Sequence, residues 1–133
     1  MQRSWNPPID CGKTEIDLYS TVTGGRIDGT ALVPEYWAKN IRQTVLFYPT
    51  ILKMIEEGYG TFVEISPHPI LSSNIEKGLD ARKVKGVVVH SLRRKTEEQA
   101  QIMGNLVQLF TKGYDVDWKI LFGDKGRYVK LPH

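Results

Sequence analysis

The sequence has almost no cysteine and no long hydrophobic run. Cys11 is the only cysteine among 133 residues, so no disulfide can form within the chain and a small disulfide-stabilised scaffold is excluded. No aliphatic run exceeds the three valines at 87–89, whereas a membrane-spanning helix needs roughly 20 apolar residues. The first residues also lack the apolar stretch of a signal peptide. We therefore expect a soluble, cytoplasmic protein with no membrane partner.

A strong excess of one charge is missing too. The 18 Lys and Arg residues against 15 Asp and Glu leave a formal net charge of +3, which is too small to indicate a nucleic-acid or membrane partner. One stretch, residues 82–95, nevertheless has six basic residues and no acidic residue: Arg82, Lys83, Lys85, Arg93, Arg94 and Lys95. They could contact phosphates, but no aromatic run accompanies them to stack bases. We favour a solvated rim at both ends of a buried strand, and no nucleic-acid partner is expected.

The patterns of common catalytic centres are absent as well. No serine has the small neighbours of a Gly-x-Ser-x-Gly elbow, which the strained turn of a serine nucleophile requires. Gly58 and Gly60 lead out of a helix into a strand, whereas a phosphate-binding loop leads from a strand into a helix. The three histidines and Cys11 lack the close paired spacing of a zinc site. No metal site is expected.

Apolar periodicity predicts an alternation of strands and helices. Strands are predicted over 16–23, which ends at a Gly-Gly turn, and over the β-branched runs 61–65 and 84–89, both expected to be buried. Helices are predicted from Pro34, over 45–55 with a stop at Gly58, over 70–79, and from 96 to 113. Thr96 and Gln99 match the capping box of that last helix. Residues 31–34 are expected to be extended, and 116–132 to be irregular.

This order of elements is typical of an α/β layer protein, in which helices cross between parallel strands. Three short strands would form a small parallel sheet with exposed edges. Such edges suggest that the sheet continues in a larger domain.

His68 is the best-placed candidate for a ligand site. It lies between Pro67 and Pro69, after the predicted strand 61–65, and open α/β sheets bind ligands beyond the carboxyl ends of their strands. The alternative is a loop histidine whose backbone is shaped by two prolines. Position alone does not separate these two interpretations.

Three motifs in order carry a family resemblance. They are Tyr19-Ser20-Thr21-Val22-Thr23-Gly24-Gly25, then Tyr36-Trp37-x-x-Asn40-Ile41-Arg42-x-x-Val45-x-Phe47, then Phe62-Val63-Glu64-Ile65-Ser66-Pro67-His68-Pro69-Ile70-Leu71. Together they resemble the acyltransferase domain of modular type I polyketide synthases. Three later segments resemble the region downstream of these motifs in that family: Ser91-Leu92-Arg93-Arg94, Val116-Asp117-Trp118 and Val129-Lys130-Leu131-Pro132.

The resemblance implies an α/β-hydrolase-like large subdomain with a short parallel sheet flanked by helices. Residues 14–113 would be its C-terminal part and 114–133 the linker after the acyltransferase. Residues 1–13 lie outside the resemblance, and their polar, turn-forming composition with Pro7 and Pro8 predicts a leader or linker. The implied partners are the remainder of the acyltransferase domain, an acyl carrier protein and the adjacent ketosynthase domain.

The implied activity is acyl transfer by a serine enzyme. In the family a serine takes a malonyl-type unit from coenzyme A and passes it to the phosphopantetheine arm of the carrier protein. The serine, its histidine and the arginine that holds the free carboxylate all precede the Tyr19 motif in the family's order, so the chain alone is expected to be inactive. The chain is expected to bind no cofactor of its own, since coenzyme A is part of the thioester substrate and phosphopantetheine is attached to the partner carrier protein.

Two positions inherit a role from the resemblance. Asn40 matches the residue whose backbone carbonyl accepts a hydrogen bond from the catalytic histidine, although it could equally serve only to end its helix. His68 and Pro69 are expected at the rim of the substrate cleft, on the same side as Asn40. The alternative function is a non-enzymatic α/β module that contacts an acidic partner, such as a carrier protein, through the basic stretch 82–95.

Overall fold

Two separate pieces of sheet organise the chain. A computed structural model describes residues 11–123 and 129–130. An antiparallel hairpin joins β1 (Leu18–Ser20) to β2 (Gly25–Ile27), and a parallel pair joins β3 (Thr61–Glu64) to β4 (Val87–His90). The helices, in chain order, are α1 (Pro34–Arg42), α2 (Phe47–Glu56), α3 (Ser72–Ala81), α4 (Glu98–Thr111) and α5 (Trp118–Phe122).

The first predicted strand is a hairpin, and the expectation of a three-stranded parallel sheet is wrong. The Ser20 hydroxyl accepts hydrogen bonds from the Val22 and Thr23 N–H groups at 3.0 and 3.3 Å, which turns the chain. Gly24 completes the turn with a φ of 73°, a left-handed conformation that favours glycine. The alternating pattern over 16–23 could not reveal this turn, because serine and threonine serve strands and turns alike.

Side chains at the base of the hairpin attach it to the end of α2. The Tyr59 hydroxyl donates to Asp17 at 2.6 Å, and Tyr19 donates to Glu57. Arg26 forms an ion pair with Asp17 at 2.8 Å. The Leu46 N–H also donates to the Thr21 carbonyl at 2.7 Å. Tyr19 also packs edge-on against the ring of Tyr59, which contacts the core, so polar and aromatic contacts together fix the hairpin.

The central helices begin and end largely where the sequence predicts. Pro34 is the first residue of α1, and Gly58, with a φ of 100°, comes just after the end of α2. In the segment expected to be extended at 31–34, Val33 is extended as predicted, but Ala31 belongs to a single 3₁₀ turn over Gly29–Ala31 and Pro34 begins α1. The Asp28 carboxylate accepts from the Thr30 N–H at 3.0 Å and so initiates that turn.

The core lies between α2, α3 and one face of the parallel sheet. Its buried members are Ile51, Ile55, Phe62, Ile75 and Leu79. Val88 packs against this cluster and is only half-buried, whereas Val87 and Val89 are buried on the other face of β4. That face is close to α4, and Asn105 Nδ2 donates to the His90 carbonyl at 2.6 Å. The predicted parallel pairing of the two strands is confirmed.

One face of β3 contradicts the prediction of a buried strand. Val63 is 56% exposed and Ile65 is 87% exposed, while Phe62 and Glu64 are buried. Successive side chains of a strand point to opposite faces, and α4 contacts β4. The β-branched composition therefore predicts the strand correctly. Its prediction of burial holds only for the face that carries Phe62 and Glu64.

The last two helices start at acidic caps. The Glu97 carboxylate accepts from the N–H groups of Gln99 and Ala100 at 3.1 and 2.6 Å, so the capping box assigned to Thr96 is wrong by one residue. Gly113, with a φ of 93°, ends α4 as predicted. The Asp117 carboxylate caps α5, a short helix where irregular structure was expected.

Parts of the predicted segments lie outside the described residues. These are 1–10 of the leader, and 124–128 and 131–133 of the tail, including Leu131 and Pro132 of the last motif. Within residues 11–123 and 129–130, no helix is long and apolar enough to cross a membrane.

Candidate functional site

The carboxyl ends of the two parallel strands form one continuous hydrogen-bonded edge. Glu64, the last residue of β3, is in register with His90, the last residue of β4. The Ser91 N–H donates to the Glu64 carbonyl at 2.8 Å. The Ser91 hydroxyl accepts from the Ser66 N–H and donates to the Ser66 carbonyl, both at 3.0 Å. Both chain segments therefore leave the sheet in fixed directions, and residues 65–71 form a loop into α3.

Glu64 is the centre of this loop. Its side chain is buried, and its carboxylate Oε1 accepts from the Ile70 N–H at 2.8 Å. Its Oε2 accepts from the Ser72 N–H at 2.8 Å and the Ser72 hydroxyl at 2.6 Å. The Leu71 N–H lies 3.2 Å from both oxygens. These N–H groups belong to the start of α3, so the carboxylate also faces the positive end of the helix dipole.

The hydrogen bonds of Glu64 keep it ionised. Burial by itself raises the pKa of a carboxyl group, because it disfavours the charged form. The donors at Ile70, Ser72, Leu71 and Ser66 outweigh that cost and lower the pKa of Glu64 to about 2. At neutral pH the loop is therefore organised around a full negative charge.

His68 and Pro69 follow the carboxyl end of β3, and both are half-buried. The Ser66 hydroxyl is 2.9 Å from the His68 carbonyl and 3.0 Å from Glu64 Oε1. Within the described part of the chain, the buried Nδ1 of His68 has no hydrogen-bond partner, nor has the buried Nε2 of His90. Among the described residues, each of these two histidines therefore has one buried nitrogen whose hydrogen-bonding capacity is unused.

Asn40 lies in the last turn of α1 and is exposed. The Gln43 N–H donates to the Lys39 carbonyl at 2.8 Å and closes the helix. No donor within residues 11–123 reaches the next carbonyl, that of Asn40, as is usual for the last carbonyls of a helix. A main-chain acceptor is therefore available at the position that the family resemblance singles out.

The two candidate positions belong to different hydrogen-bonded groups. The Tyr36 hydroxyl on α1 is 2.9 Å from Ser20 Oγ of the hairpin, and Trp37 Nε1 donates to the Leu32 carbonyl at 2.9 Å. The His68 loop is instead tied to β3, β4 and α3. That Asn40 and His68 face one cleft stays a prediction.

The basic stretch is divided by β4. Arg82, Lys83 and Lys85 precede the strand, and the other three bases come after it. Arg82 pairs with Glu56 at 2.5 Å. Lys83 and Lys85 line an open groove of about 530 Å³ that they share with Glu76 and Asp80. This mixed lining, at the opposite end of β4 from His90, does not form one basic surface.

Sequence reasoning missed the role of Glu64, although the residue stands inside a quoted motif. The available signal was its position two residues after Phe62, which places an acid on the buried face of a strand. An acid on a buried face needs several donors; Ser66 supplies one, and residues 70–72 at the start of α3 supply the others. In the described ranges no three potential ligands from His, Cys, Asp and Glu come together as a metal site.

The structure is an α/β fold whose candidate site lies at the carboxyl ends of two parallel strands, the usual ligand side of such sheets. The sequence profile of the acyl transferase domain family matches residues 3–116. The chain belongs to this family, and its relatives place it among the acyltransferase domains of modular type I polyketide synthases.

Two curated relatives illustrate the match. The spectinabilin polyketide synthase system protein NorC of Streptomyces orinoci is 39% identical over 126 residues, which cover 95% of this chain and 5% of NorC. Erythronolide synthase EryA3 of Saccharopolyspora erythraea is 37% identical over 121 residues, which cover 89% of this chain and 4% of EryA3. The chain therefore spans a small part of these multidomain proteins.

Solved structures agree. The acyltransferase domain from module 8 of the salinomycin polyketide synthase superposes with a TM-score of 0.74 at 37% identity, over 79% of this chain and 25% of that one. A loading acyltransferase from the avermectin synthase gives a TM-score of 0.68 at 33% identity, over 74% of this chain and 30% of that one. The predicted family and α/β fold class are confirmed.

Proposed function

We propose that this chain is part of an acyltransferase that loads a malonyl-type unit from coenzyme A onto an acyl carrier protein. A serine hydroxyl would attack the thioester carbonyl, its proton would pass to a histidine, and coenzyme A would leave as the thiol. The phosphopantetheine thiol of the carrier protein would then attack the seryl ester and restore the serine. The observation that carries the proposal is the match at 37–39% identity to modular polyketide synthases over most of the chain.

The role of this chain in that reaction is to position other groups. It contains no Gly-x-Ser-x-Gly sequence, so the nucleophile would come from the remainder of the acyltransferase domain. The Asn40 carbonyl would accept a hydrogen bond from the catalytic histidine, and the partial negative charge at the end of α1 would favour the imidazolium. The free carbonyl in the last turn of α1 supports this role.

His68 and Pro69 would line the rim of the substrate cleft. The support is their place beyond β3 and the unpartnered Nδ1 of His68 within the described residues. No proton transfer is assigned to His68. The acyl carrier protein and the adjacent ketosynthase remain the proposed partners, with no cofactor bound by the chain itself.

Intact-protein mass spectrometry after incubation with malonyl-coenzyme A or methylmalonyl-coenzyme A tests the proposal. The intact acyltransferase should gain one acyl group, on a serine outside residues 1–133, and lose it when carrier protein bearing phosphopantetheine is added. The chain alone should gain none. A stoichiometric acyl adduct on a serine of this chain, or no adduct on the intact protein with either thioester, would contradict the proposal.

A further inference from the structure

The best-connected buried charge in the described chain is Glu64, and the reaction as proposed gives it no task. Oε1 and Oε2 accept from three consecutive N–H groups, at residues 70–72, and from the Ser72 hydroxyl, with Ser66 Oγ also 3.0 Å from Oε1. Within residues 11–123 no cation forms an ion pair with it. All of its partners are neutral donors of its own loop and of the start of α3.

These contacts fix both ends of a very short segment. Ser66 is tied to Ser91 and lies beside the Glu64 carboxylate, and Ile70 donates to the same carboxylate. Between them stand only Pro67, His68 and Pro69, two of which are prolines with a fixed φ. The direction of the His68 side chain therefore depends on where the Glu64 carboxylate holds residues 66 and 70.

We propose that Glu64 is a positioning residue for acyl-thioester binding, acting through the loop that carries His68 and Pro69. The proposal rests on the proposed acyltransferase function, because that function makes the loop part of a substrate cleft. Glu64 itself touches no substrate. Its charge matters because both oxygens face only donors, and an amide in its place would direct an NH₂ group against the N–H groups of α3.

The expected signature is a change in KM more than in kcat. A loop at the cleft rim contacts the substrate in the ground state and the transition state alike, and losing such contacts raises KM without changing the chemical step. A general loss of folding would instead lower the fraction of active enzyme, and hence apparent kcat, at unchanged KM. The two explanations therefore predict different kinetic parameters.

The test uses the intact acyltransferase with four variants: Glu64→Gln, His68→Ala, the double variant, and Glu76→Gln as control. Glu76 is an exposed carboxylate on α3, outside the loop. Glu64→Gln and His68→Ala should each raise KM for the preferred acyl-coenzyme A by about tenfold, and the double variant should exceed the larger single effect by less than about twofold, since coupled residues are not additive. Glu76→Gln should leave KM unchanged.

The proposal would be overturned if the rise in KM of the double variant equalled the product of the two single rises. It would also be overturned if Glu64→Gln had the same KM as the control. If Glu64→Gln does not fold, Ser72→Ala removes one donor from Oε2 and leaves the charge in place; its KM should rise and should also be coupled to His68→Ala.

A readout without turnover separates this proposal from the proposed function. Hydrogen exchange of the amides at 70–72 should accelerate at least tenfold in Glu64→Gln, since those N–H groups lose their acceptor, and the ring signals of His68 should shift. The control should show neither change. If Glu64→Gln loses this protection but the intact protein forms no acyl-enzyme, the proposed function is refuted and the positioning of the loop by Glu64 is supported. If protection and the His68 ring signals do not change, the positioning role of Glu64 is refuted.

Discussion

We compare residues 47–90, called the central body, with the flanking helices α1, α4 and α5. The two regions have similar sequence patterns, but their apolar side chains differ in burial. Every buried hydrophobic side chain in the described part lies in the central body, between Ile51 and Val89. The flanking helices contain no buried residue, although α4 has 14 residues and a clear apolar stripe. Periodicity thus predicts that a helix forms and which face is apolar, but it does not say what covers that face.

This difference in burial is consistent with the share of the solved acyltransferase chains that this chain covers, which is 25–30%. Exposed apolar side chains remain on all three flanking helices, for example Ile41, Val107 and Ile120. Under the proposed function, the remainder of the acyltransferase domain would cover the flanking helices, whereas the central body has its own core.

The largest expected effect is the loss of the central body on replacing Val89 by Asp. Val89 is 2% exposed, so the variant would bury an unpaired charge at a cost of several kcal/mol, comparable to the whole stability of a small domain. The matched control is Val107→Asp on α4, where the side chain is 50% exposed and the change should stay within about 0.5 kcal/mol in the chain alone. Urea unfolding of both variants of the chain alone measures the contrast, and equal effects would abolish the distinction between the two regions.

The next effect is the pH dependence that Glu64 gives to the central body. Its pKa is lowered from 4.5 to about 2 in the folded protein. A lowered pKa means that ionisation stabilises the fold above the unfolded pKa, by about 3 kcal/mol, and that this contribution is lost as the pH falls from about 4.5 to about 2. Unfolding free energies of the parent and of Glu64→Gln should therefore converge in this window. A constant difference between the two proteins from pH 7 to pH 2 would contradict the assignment.

Asn40 places a functional prediction on a flanking helix. In the intact acyltransferase, Asn40→Pro should reduce acyl transfer by about a hundredfold, because it displaces the main-chain carbonyl. Asn40→Ala keeps that carbonyl and should retain most activity, and His68→Ala should have a milder effect than Asn40→Pro. Rates of acyl-enzyme formation measure this order. Equal losses in Asn40→Ala and Asn40→Pro would show that the side chain acts instead.

Two glycines give the smallest contrast. A Cβ at Gly86, just before β4, would lie 2.5 Å from the Gly60 carbonyl and 2.6 Å from Leu79 Cδ2. Gly86→Ala should therefore destabilise the central body by about 1–3 kcal/mol. A Cβ at Gly104 on α4 meets nothing within 4 Å, and Gly104→Ala should stabilise by up to about 1 kcal/mol through helix propensity. Thermal unfolding of the chain alone shows the sign of each change, and destabilisation by Gly104→Ala there would mean that α4 is tightly covered within the chain itself.

The sequence was sufficient where a local signal defines the structure. Pro34, Gly58 and Gly113 start or end helices as predicted, and the β-branched runs correctly predict the parallel pair β3 and β4. The same β-branched run also predicts that His68 follows the end of β3.

It was insufficient where the structure depends on contacts between distant residues. The hairpin turn rests on the Ser20 hydroxyl, which alternation cannot distinguish from a strand residue. The role of Glu64 rests on donors six to eight positions later, and they reach its carboxylate only once α3 has folded back. The exposed face of β3 depends on which element lies over it, and no local pattern encodes that.

Hydrogen exchange, measured on the chain alone and on the intact acyltransferase, tests the division into two regions most directly. The account predicts that amides of α2, β3, α3 and β4 are protected in both, because their core lies within the chain. Amides of α1 and α4 should gain strong protection only in the intact protein. Equal protection of α1 and α4 in the chain alone would contradict the account, since these helices would then need no cover from the rest of the domain.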